Sequence, residues 1–551
     1  MAQFKEGAFG PQIAGEIFYF GHGRDCERSQ MLTLTSLGAA GTVTGSKHLL
    51  THDGHRILID CGLFQGLKNL RELNWEKLPV HPGAIDAVIL THAHLDHSGY
   101  LPRLVRDGFR GSIYATEATR DVAELILMDS AFLQEKDAEF LHRHHLSKHT
   151  PALPLYGAQD ARRAIEQFSI VPFGKIISLP NGLTLRFRHA SHILGAAHAE
   201  IHWGGRSLVF SGDIGRYDDA LFPDPVSDGE PDYIMVESTY GDRVHPAEDP
   251  VEALGAIAER TVKRGGTLVI PAFAVGRAQQ LLYYFWRLKR AGRLASTPIF
   301  LDSPMAIDAT EMMCRHPREH KLDHATCREA FGIAQYTNDV EASKAITANR
   351  YPKIVIAASG MATGGRVLHH LKTFGPDPRC TILLSGFQAP GTRGRTLEQG
   401  AKDLKIHGNW VPINAEVAQL DMLSAHADSN ELMRWLSGFK RAPRRVFIVH
   451  GEPKLPRRSV SGSSANCGGR VWCHGRTRSF TCSGRRWMTG ASISLAPDQE
   501  ISLANGGYQG GKKEGSGLWS RNRRTTLKFP PRAVGSRSRQ RSSGGGSGRR
   551  P

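Results

Sequence analysis

The sequence predicts an α/β fold made of two units, followed by a basic tail. From Met31 onward, short apolar strands alternate with helical stretches, which is the pattern of α/β proteins. Several of these strands end at a His, Asp or Glu residue. The composition changes abruptly after residue 453. Two packed units that share one polar site, and a tail outside them, account for all three observations.

The charge of the chain is unevenly distributed. The 551 residues include 70 Lys and Arg and 53 Asp and Glu, a formal net charge of +17. Residues 454–551 contain 20 of the basic residues and only three of the acidic ones, so residues 1–453 are charge-balanced. The total charge is therefore no argument for binding nucleic acid.

The composition excludes several protein classes. A hydrophobic fraction of 40% is that of an ordinary globular protein. No run of about 18 apolar residues predicts a membrane span, and no apolar segment near the N-terminus predicts a secretory signal. Eight cysteines without regular spacing argue against a disulfide framework, and we expect Cys314, Cys327 and Cys380 to be ordinary thiols. We interpret the protein as cytoplasmic.

Residues 1–30 show no clear periodicity, whereas a strand pattern begins at Met31 and runs to Leu37. Two interpretations fit this start. Residues 1–30 are either an N-terminal extension or the product of a start codon assigned upstream of Met31, and we favour the second.

Six predicted strands deliver polar side chains at their carboxyl ends. They are Ile57–Ile59 before Asp60, Ala87–Leu90 before His92, Leu183–Phe187 before His189 and His192, Ser207–Phe210 before Asp213, Tyr233–Val236 before Glu237, and Val446–Val449 before His450. Ligands of α/β proteins gather outside the carboxyl ends of strands. The six strands therefore predict one polar site assembled from distant parts of the chain.

Residues 242–406 form a second α/β pattern. Its predicted strands are 267–270, 298–301, 354–357 and 381–384, with helical stretches such as 278–285 between them. The polar strand ends lie on both sides of this unit in the sequence. We therefore expect the second unit to be inserted into the first.

The strongest local motif is His92-Ala-His94-Leu-Asp96-His97. Two histidines at positions i and i+2 of a loop can bind one cation, and the Asp and His that follow can serve a second. Imidazole nitrogens and carboxylate oxygens are the ligands of hydrolytic zinc sites. Two metals about 3.5–4 Å apart can stabilise both the attacking and the leaving oxygen of a displacement.

These motifs resemble a known family. The His92–His97 motif with Asp60, Ala190–Ala196 and Ser211–Asp213 is similar to the metallo-β-lactamase fold. Further motifs resemble its β-CASP subgroup, which contains RNA-processing nucleases and DNA-repair nucleases; they are 237–241, 270–277, 302–305, 359–361, 423–426 and 449–452. The resemblance implies an αββα sandwich with an inserted β-CASP domain.

The resemblance also implies a domain layout and a ligand set. The first domain would comprise residues 31–241 and 407–453, with the β-CASP domain at 242–406 between them. His92, His94 and His192 would bind one zinc ion, and Asp96, His97 and His450 a second. Asp213 would bridge the two ions, and Asp60 would orient ligand imidazoles through hydrogen bonds.

Glu237 and His426 would lie next to the two metals and act with Asp96 in catalysis. His426 would be the general acid that protonates the leaving oxygen, and Glu237 would hold it and favour its charged form. The family chemistry implies phosphodiester hydrolysis that leaves 5′-phosphate and 3′-hydroxyl ends. Expected partners are single-stranded RNA and, in a homodimer, a second copy of the chain.

The inserted domain should supply the RNA groove. Ser359 and Gly360 open a Gly-rich loop between a strand and a helix, where backbone amides can bind a phosphate. Arg277, Arg366 and Arg393 are candidate phosphate ligands.

Three alternatives compete with an RNA nuclease. DNA-specific members of the superfamily tend to carry Val where this chain has His426, so RNA is favoured over DNA. A small-molecule hydrolase would not need an inserted unit of this size. A scaffolding subunit without metal would have lost ligands, and all seven candidates are present.

Residues 454–551 depart from the family. Members normally continue with an amphipathic helix and a final strand, whereas half of the residues here are Gly, Ser or Arg. Such a composition cannot bury enough apolar surface to offset its ordering entropy, so we expect a disordered basic tail with no catalytic group. It is either a phosphate-binding arm or the product of a reading-frame error, and the abrupt change favours the error.

Overall fold

Two β-sheets stacked face to face form the framework of the first unit. The computed structural model describes residues 32–145, 147 and 150–452, and the backbone of 17–20, 467–473 and 476–482. The first sheet contains β1 (Ile17–Phe20), β2 (Leu32–Gly38), β3 (Lys47–His52), β4 (His55–Ile59), β5 (Ala87–Ile89), β6 (Ser112–Ala115) and β7 (Phe168–Ile170), in that order. Strands β1 to β4 pair antiparallel, and β4 to β7 pair parallel.

The second sheet brings together strands from both ends of the chain. It contains β8 (Ile176–Ser178), β9 (Thr184–His189), β10 (Ala197–Trp203), β11 (Arg206–Phe210), β12 (Tyr233–Glu237), β21 (Arg445–Val449), β22 (Cys467–Cys473) and β23 (Arg476–Cys482). Its parallel part runs β11, β12, β21 and β22, so β21 lies inside the sheet although two hundred residues separate it from β12.

Apolar side chains alternate along these strands, and one face of each sheet meets the other. Leu34 and Ile57 of the first sheet belong to the same buried cluster as Phe187 and Phe210 of the second. The outer face of the second sheet packs on Trp435 of a C-terminal helix. The predicted αββα sandwich is confirmed.

Helices of the first unit cover the two outer faces. They are α1 (Lys68–Glu72), α2 (Leu95–Ser98), α3 (Leu101–Arg106), α4 (Glu117–Arg143), α5 (Ala158–Ile165) and, after the inserted unit, α13 (Ser429–Ser437). Capping residues fix the starts of two of them. Thr116 accepts a hydrogen bond from the Thr119 amide at the start of α4, and Asp428 forms a capping box with Glu431 at the start of α13.

The inserted unit is built on a third sheet in which all strands are parallel. Its strands are β13 (Thr267–Pro271), β14 (Ile299–Leu301), β15 (Gln335–Tyr336), β16 (Lys353–Ala357), β17 (Thr381–Leu384) and β20 (Glu416–Gln419). A separate hairpin consists of β18 (Asp403–Ile406) and β19 (Asn409–Pro412). The third sheet thus reaches residue 419, beyond the predicted bound of 406.

Seven helices surround the third sheet. They are α6 (Pro250–Lys263), α7 (Arg277–Arg290), α8 (Pro304–Arg315), α9 (His324–Phe331), α10 (Val340–Ala348), α11 (Val367–Phe374) and α12 (Arg393–Glu398). Near-continuous apolar strands such as Ile354, Val355 and Ile356 are fully buried, as expected for a parallel sheet covered on both faces. None of the helices within the described ranges is both long and apolar enough to cross a membrane.

One sequence expectation fails in this unit. Cys314 on α8 and Cys327 on α9 form a disulfide, so they are not ordinary thiols. The packing of the two helices brings their Cα atoms to 6.1 Å, within the range that a disulfide spans. Cys380 is a buried free thiol, as expected.

The two ends of the chain lie largely outside the described residues. Strand β1 pairs with β2, which leaves both interpretations of residues 1–30 open. In the predicted tail, β22 and β23 form a hairpin that extends the second sheet at β21. Most of 454–551 lies outside the described residues, and its expected lack of a compact domain stays a prediction.

Candidate metal centre and active site

The predicted site residues meet at one end of the two facing sheets. His92 and His94 lie in the loop after β5, and Asp96 and His97 are on α2, which follows directly. His192 follows β9, Asp213 follows β11, and His450 is the first residue after β21. Parallel strands place their carboxyl ends at the same edge of a sheet, which is why loops from distant parts of the sequence converge here.

Four side chains form a first cluster. The Nδ1 atom of His94 lies 3.2 Å from Nε2 of His92 and 3.2 Å from Nε2 of His192. Oδ2 of Asp213 lies 3.4 Å from Nε2 of His92 and 3.7 Å from Nε2 of His192. A tetrahedral zinc with ligands at about 2.0–2.1 Å holds its ligand atoms about 3.3–3.4 Å apart. The four atoms are therefore spaced like the corners of a zinc coordination tetrahedron.

A second cluster shares Asp213 with the first. Nε2 of His97 lies 3.2 Å from Nε2 of His450 and 3.3 Å from Oδ1 of Asp213. Oδ2 of Asp96 lies 3.5 Å from Nε2 of His450. The two oxygens of Asp213 thus face different clusters, which is the arrangement of a bridging carboxylate.

The donor set fits a pair of cations. Asp213 is 2% exposed, yet its Oδ1 atom accepts no hydrogen bond. Burial without a hydrogen bond is costly for a carboxylate oxygen, and a metal ion removes that cost. The histidines and carboxylates around it are the ligand types that zinc prefers. The number and identity of the ions stay predictions.

Charge states in the first cluster also suit metal binding. Burial, together with the neighbouring His92, lowers the pKa of His94 to about 3. Burial, with the neighbouring His426, holds the pKa of His192 well below its usual value. Both imidazoles are therefore neutral at physiological pH, which is the form that binds a metal.

The second cluster differs in charge. Burial acts to lower the pKa of His97, but Asp213 and Asp60 raise it well above its usual value. Burial acts to raise the pKa of Asp213, but His450, His97 and His92 hold it well below. Because only neutral imidazole binds a metal, ligation by His97 requires loss of its proton.

Asp60 lies behind the second cluster, 2% exposed. Its Oδ2 atom is 2.7 Å from Nδ1 of His97. Its Oδ1 atom accepts hydrogen bonds from the amide and the hydroxyl of Thr91 at 2.8 and 3.0 Å. The Thr91 hydroxyl is in turn 3.2 Å from Nδ1 of His92. Asp60 therefore contacts the second cluster directly, through His97, and the first cluster through Thr91. Because Asp60 contacts Nδ1 of His97, the Nε2 atom of that ring is left to face the cluster.

Contacts within the described residues fix His450. The amide of His450 donates to the carbonyl of Ala39 at 2.7 Å, and its carbonyl accepts from the Thr239 hydroxyl at 3.2 Å. Nδ1 of His450 lies 3.1 Å from that hydroxyl. These contacts direct Nε2 towards His97.

Glu237 and His426 form a pair beside the clusters. Nδ1 of His426 lies 3.2 Å from both carboxylate oxygens of Glu237, which is 1% exposed. Amides of Ile214 and Thr239 donate to that carboxylate at 2.7 and 3.3 Å and orient it. Burial acts to lower the pKa of His426, but Glu237 and, further away, Asp213 raise it to about 9.

Sequence reasoning missed several residues that support the site. The Thr91 hydroxyl links His92 to Asp60. Thr239 contacts Nδ1 of His450 through its hydroxyl and Glu237 through its amide. His245 donates from Nε2 to the carbonyl of His426 at 3.0 Å, which fixes the loop that carries the proposed acid. Thr91 directly precedes His92, and Thr239 lies within the 237–241 motif, so a hydroxyl close to a site residue was the available signal. His245 has no such local signal.

His189 and His198 were expected to be ordinary polar positions. His198 lies 2.6 Å from the carbonyl of Ser211 and accepts from the indole of Trp435 at 3.0 Å. The ring of His189 stacks on Phe173. Neither belongs to the groups of potential metal ligands found among the described residues.

The three candidate phosphate ligands of the inserted unit differ in how many hydrogen bonds they donate to the chain itself. Arg366 donates to Asp302 and to the carbonyls of Thr337 and Asn338. Arg393 donates to the carbonyl of Lys405 at 2.8 Å and to that of Thr363 at 3.1 Å.

Arg277 is 7% exposed and contacts Gln280, while its Nε atom has no hydrogen-bond partner. It lines a cavity of about 20 Å³ together with His192 and Arg216.

The side chain of Phe273 connects the loop of Ser359 and Gly360 to the metal centre. The hydroxyl of Ser359 accepts from the Thr363 amide at 3.2 Å, which closes the Gly-rich loop on itself. A Cβ atom on Gly360 would lie 2.8 Å from the ring of Phe273, so only glycine allows this close approach. The Phe273 ring is in turn 6.3 Å from that of His94, measured between centroids.

Family models match nearly all of the packed part of the chain. The model of the metallo-β-lactamase superfamily matches residues 41–262, and that of the Beta-Casp domain matches residues 278–397. The model of the Zn-dependent metallo-hydrolase RNA specificity domain matches residues 410–455. The three matches follow the order of the predicted domains.

Curated relatives cover the same region. The chain is 37% identical over 429 residues to ribonuclease TTHA0252 of Thermus thermophilus, covering 76% of this chain and 93% of that protein. It is 32% identical over 454 residues to transcription termination factor FttA of Methanosarcina mazei, covering 78% and 69%. It is 31% identical over 459 residues to the FttA of Pyrococcus abyssi, covering 78% and 68%.

Proposed function

This chain belongs to the β-CASP group of the metallo-β-lactamase superfamily, and we propose that it is a zinc-dependent ribonuclease acting on single-stranded RNA. One observation carries the proposal: two clusters of buried histidines and carboxylates share Asp213 and adjoin the Glu237–His426 pair. The hydrolase chemistry agrees with the family, and the names of the relatives point to RNA. A cytoplasmic location and a homodimer stay predictions of the sequence.

Two zinc ions are the proposed cofactors. His92, His94 and His192 would hold one ion, Asp96, His97 and His450 the other, and Asp213 both. When bound, such ions lower the pKa of a coordinated water and stabilise negative charge on phosphate oxygens. The spacing of the ligand atoms and the buried Oδ1 of Asp213, which accepts no hydrogen bond, support this assignment.

The chain's own residues would supply proton transfer. Phosphodiester hydrolysis breaks the bond between phosphorus and a ribose oxygen, and the departing oxygen needs a proton. His426 is held protonated by Glu237, and Nδ1 makes that contact, so Nε2 remains to donate the proton. Glu237 itself keeps its position through the amides of Ile214 and Thr239.

The site is also built to limit water. His92, His97, His192 and Asp213 are each at most 2% exposed, so these candidate ligands are largely shielded from bulk water. Charges in such an enclosure interact more strongly than in water.

The deciding experiment is cleavage of end-labelled single strands of RNA and of DNA with the same base sequence by the purified full chain. We expect cleavage of RNA to 5′-phosphate and 3′-hydroxyl ends, its loss after chelation, and its return with added zinc. Equal cleavage of DNA would favour a DNA nuclease. Cleavage that survives complete removal of metal would overturn the proposed cofactor.

A further inference from the structure

An aromatic side chain stands at the edge of the metal centre without an obvious structural task. Phe273 lies in the loop between β13 and α7, in the inserted unit, and is 38% exposed. Single exposed apolar residues are common on protein surfaces and need no explanation by themselves. Phe273 differs from an ordinary one in that its ring lies beside His94, a candidate zinc ligand.

The ring has a fixed position. One part of it packs on Gly360, where any side chain would collide with the Cδ2 and Cε2 atoms of Phe273. The backbone of Phe273 is held as well, because its carbonyl accepts a hydrogen bond from the Ala278 amide at 3.1 Å. The Gly-rich loop therefore supports a rigid ring whose remaining surface faces solvent.

Bases are the ligand class that such a ring would recognise. Single-stranded nucleic acids bind proteins through contacts to the phosphates and through stacking of bases on aromatic side chains. Every base presents a flat π surface, so a single Phe can take part whatever the sequence. A rigid, half-exposed ring loses little conformational entropy when a base stacks on it.

Resting on the ribonuclease function proposed above, we propose that Phe273 is the stacking platform for the base of a nucleotide next to the cleaved phosphodiester. The site would take any of the four bases, because the ring offers no hydrogen bond to distinguish them. Its role is to hold the RNA strand over the metal centre, so it is a binding residue that carries out no chemical step.

The test uses Phe273→Leu and Phe273→Trp in the full chain. Leucine keeps an apolar contact with Gly360 but has no ring, so kcat/KM on single-stranded RNA should fall by about 5–150-fold, the effect of losing one base–aromatic stack. Tryptophan should retain activity within about threefold. Zinc content and thermal unfolding should match those of the unmodified protein in both variants.

A matched control is Tyr351→Leu. Tyr351 is also an exposed aromatic residue of the inserted unit, 77% exposed, but it precedes β16, whereas the Gly-rich loop follows the other end of that strand. This substitution should leave kcat/KM unchanged. Equal losses in the Tyr351 and Phe273 variants would overturn the proposal.

Abasic RNA separates stacking from an indirect effect on the metal centre. An RNA that lacks the base on one side of the cleaved bond should react more slowly with the unmodified protein, and Phe273→Leu should then cause no further loss. If the variant loses the same factor on RNAs abasic at either flanking position, the ring acts through the metal centre and the proposal is wrong.

Failure of the parent proposal would be visible separately. Affinity for the same RNAs, measured by fluorescence anisotropy, does not depend on cleavage. Binding that depends on Phe273 and on the flanking base, with no cleavage by the unmodified protein, would overturn the ribonuclease function and keep the stacking site. Binding that is the same with and without the ring overturns the stacking site alone.

Discussion

The metal centre and the arginines of the inserted unit use polar side chains in opposite ways. In the centre, histidines and carboxylates converge on two small volumes, and a buried oxygen of Asp213 accepts no hydrogen bond. Among the arginines, the guanidinium groups of Arg366 and Arg393 donate to acceptors of the chain itself. Unmatched buried groups indicate an external partner, whereas matched groups indicate a structural task.

The first prediction tests the metal centre, where a buried oxygen of Asp213 accepts no hydrogen bond within the chain. His97→Ala removes a ligand atom of the second cluster and also the contact between Nδ1 of His97 and Asp60. RNA cleavage should fall below detection, a loss of more than about 10⁴-fold, because the metals supply most of the charge stabilisation. Zinc per molecule, measured by atomic absorption, should fall from two towards one. Full activity with unchanged zinc would remove His97 from the ligand set.

The second prediction separates catalysis from metal binding within the same region. His426→Ala should slow cleavage by about 10²–10⁴-fold, which is the usual contribution of a general acid, and should leave the zinc content unchanged. His189→Ala is the matched control, because His189 contacts Phe173 rather than the centre and should be near normal. Loss of zinc in the His426 variant would make this residue a ligand.

The third prediction tests the arginines of the inserted unit that donate to the chain itself. Asp302 is fully buried and accepts from Arg366 at 2.7 Å, and the Arg366 side chain is 20% exposed. Arg366→Ala should therefore lower the free energy of unfolding by about 3 kcal/mol, the lower end for a broken buried pair. Urea denaturation measures the change. Unchanged stability combined with weaker RNA binding would show that Arg366 contacts phosphate after all.

The fourth prediction concerns the group behind the centre. Asp60→Ala removes the acceptor for Thr91 and the contact with Nδ1 of His97. Zinc affinity should fall by about 10–100-fold, the usual loss when a residue that orients a ligand is removed. Competition with a chromophoric chelator measures the affinity. An affinity equal to that of the unmodified protein would mean that Asp60 only ends its strand.

Much of the centre could be predicted from the sequence because its signals are local. Each ligand follows a buried strand, as Asp213 follows β11, and four of them lie within six positions. The hydrogen bonds that Arg366 donates to other residues of the chain could not be predicted in this way. Its partner Asp302 is 64 residues away, and nothing near either residue indicates that the two meet.

The same limit explains the other omissions. His245 reaches the carbonyl of His426 across 181 residues. Phe273 meets Gly360 through the fold of the inserted unit and His94 through the packing of the two units. The disulfide of Cys314 and Cys327 depends on how two helices pack. Contacts of this kind are set by tertiary structure, and residue type and spacing do not encode them locally.

The position of β21 has a consequence for the order in which the protein is made. His97 and His450 lie 353 residues apart, and His450 is aligned only when β21 has paired with β12 inside the second sheet. A ribosome therefore releases the whole inserted unit before the second cluster can close. Until then the nascent chain has all four candidate ligands of the first cluster but only three of the four of the second, because His450 is still missing. The active site therefore stays incomplete while the chain is being translated, close to its own message.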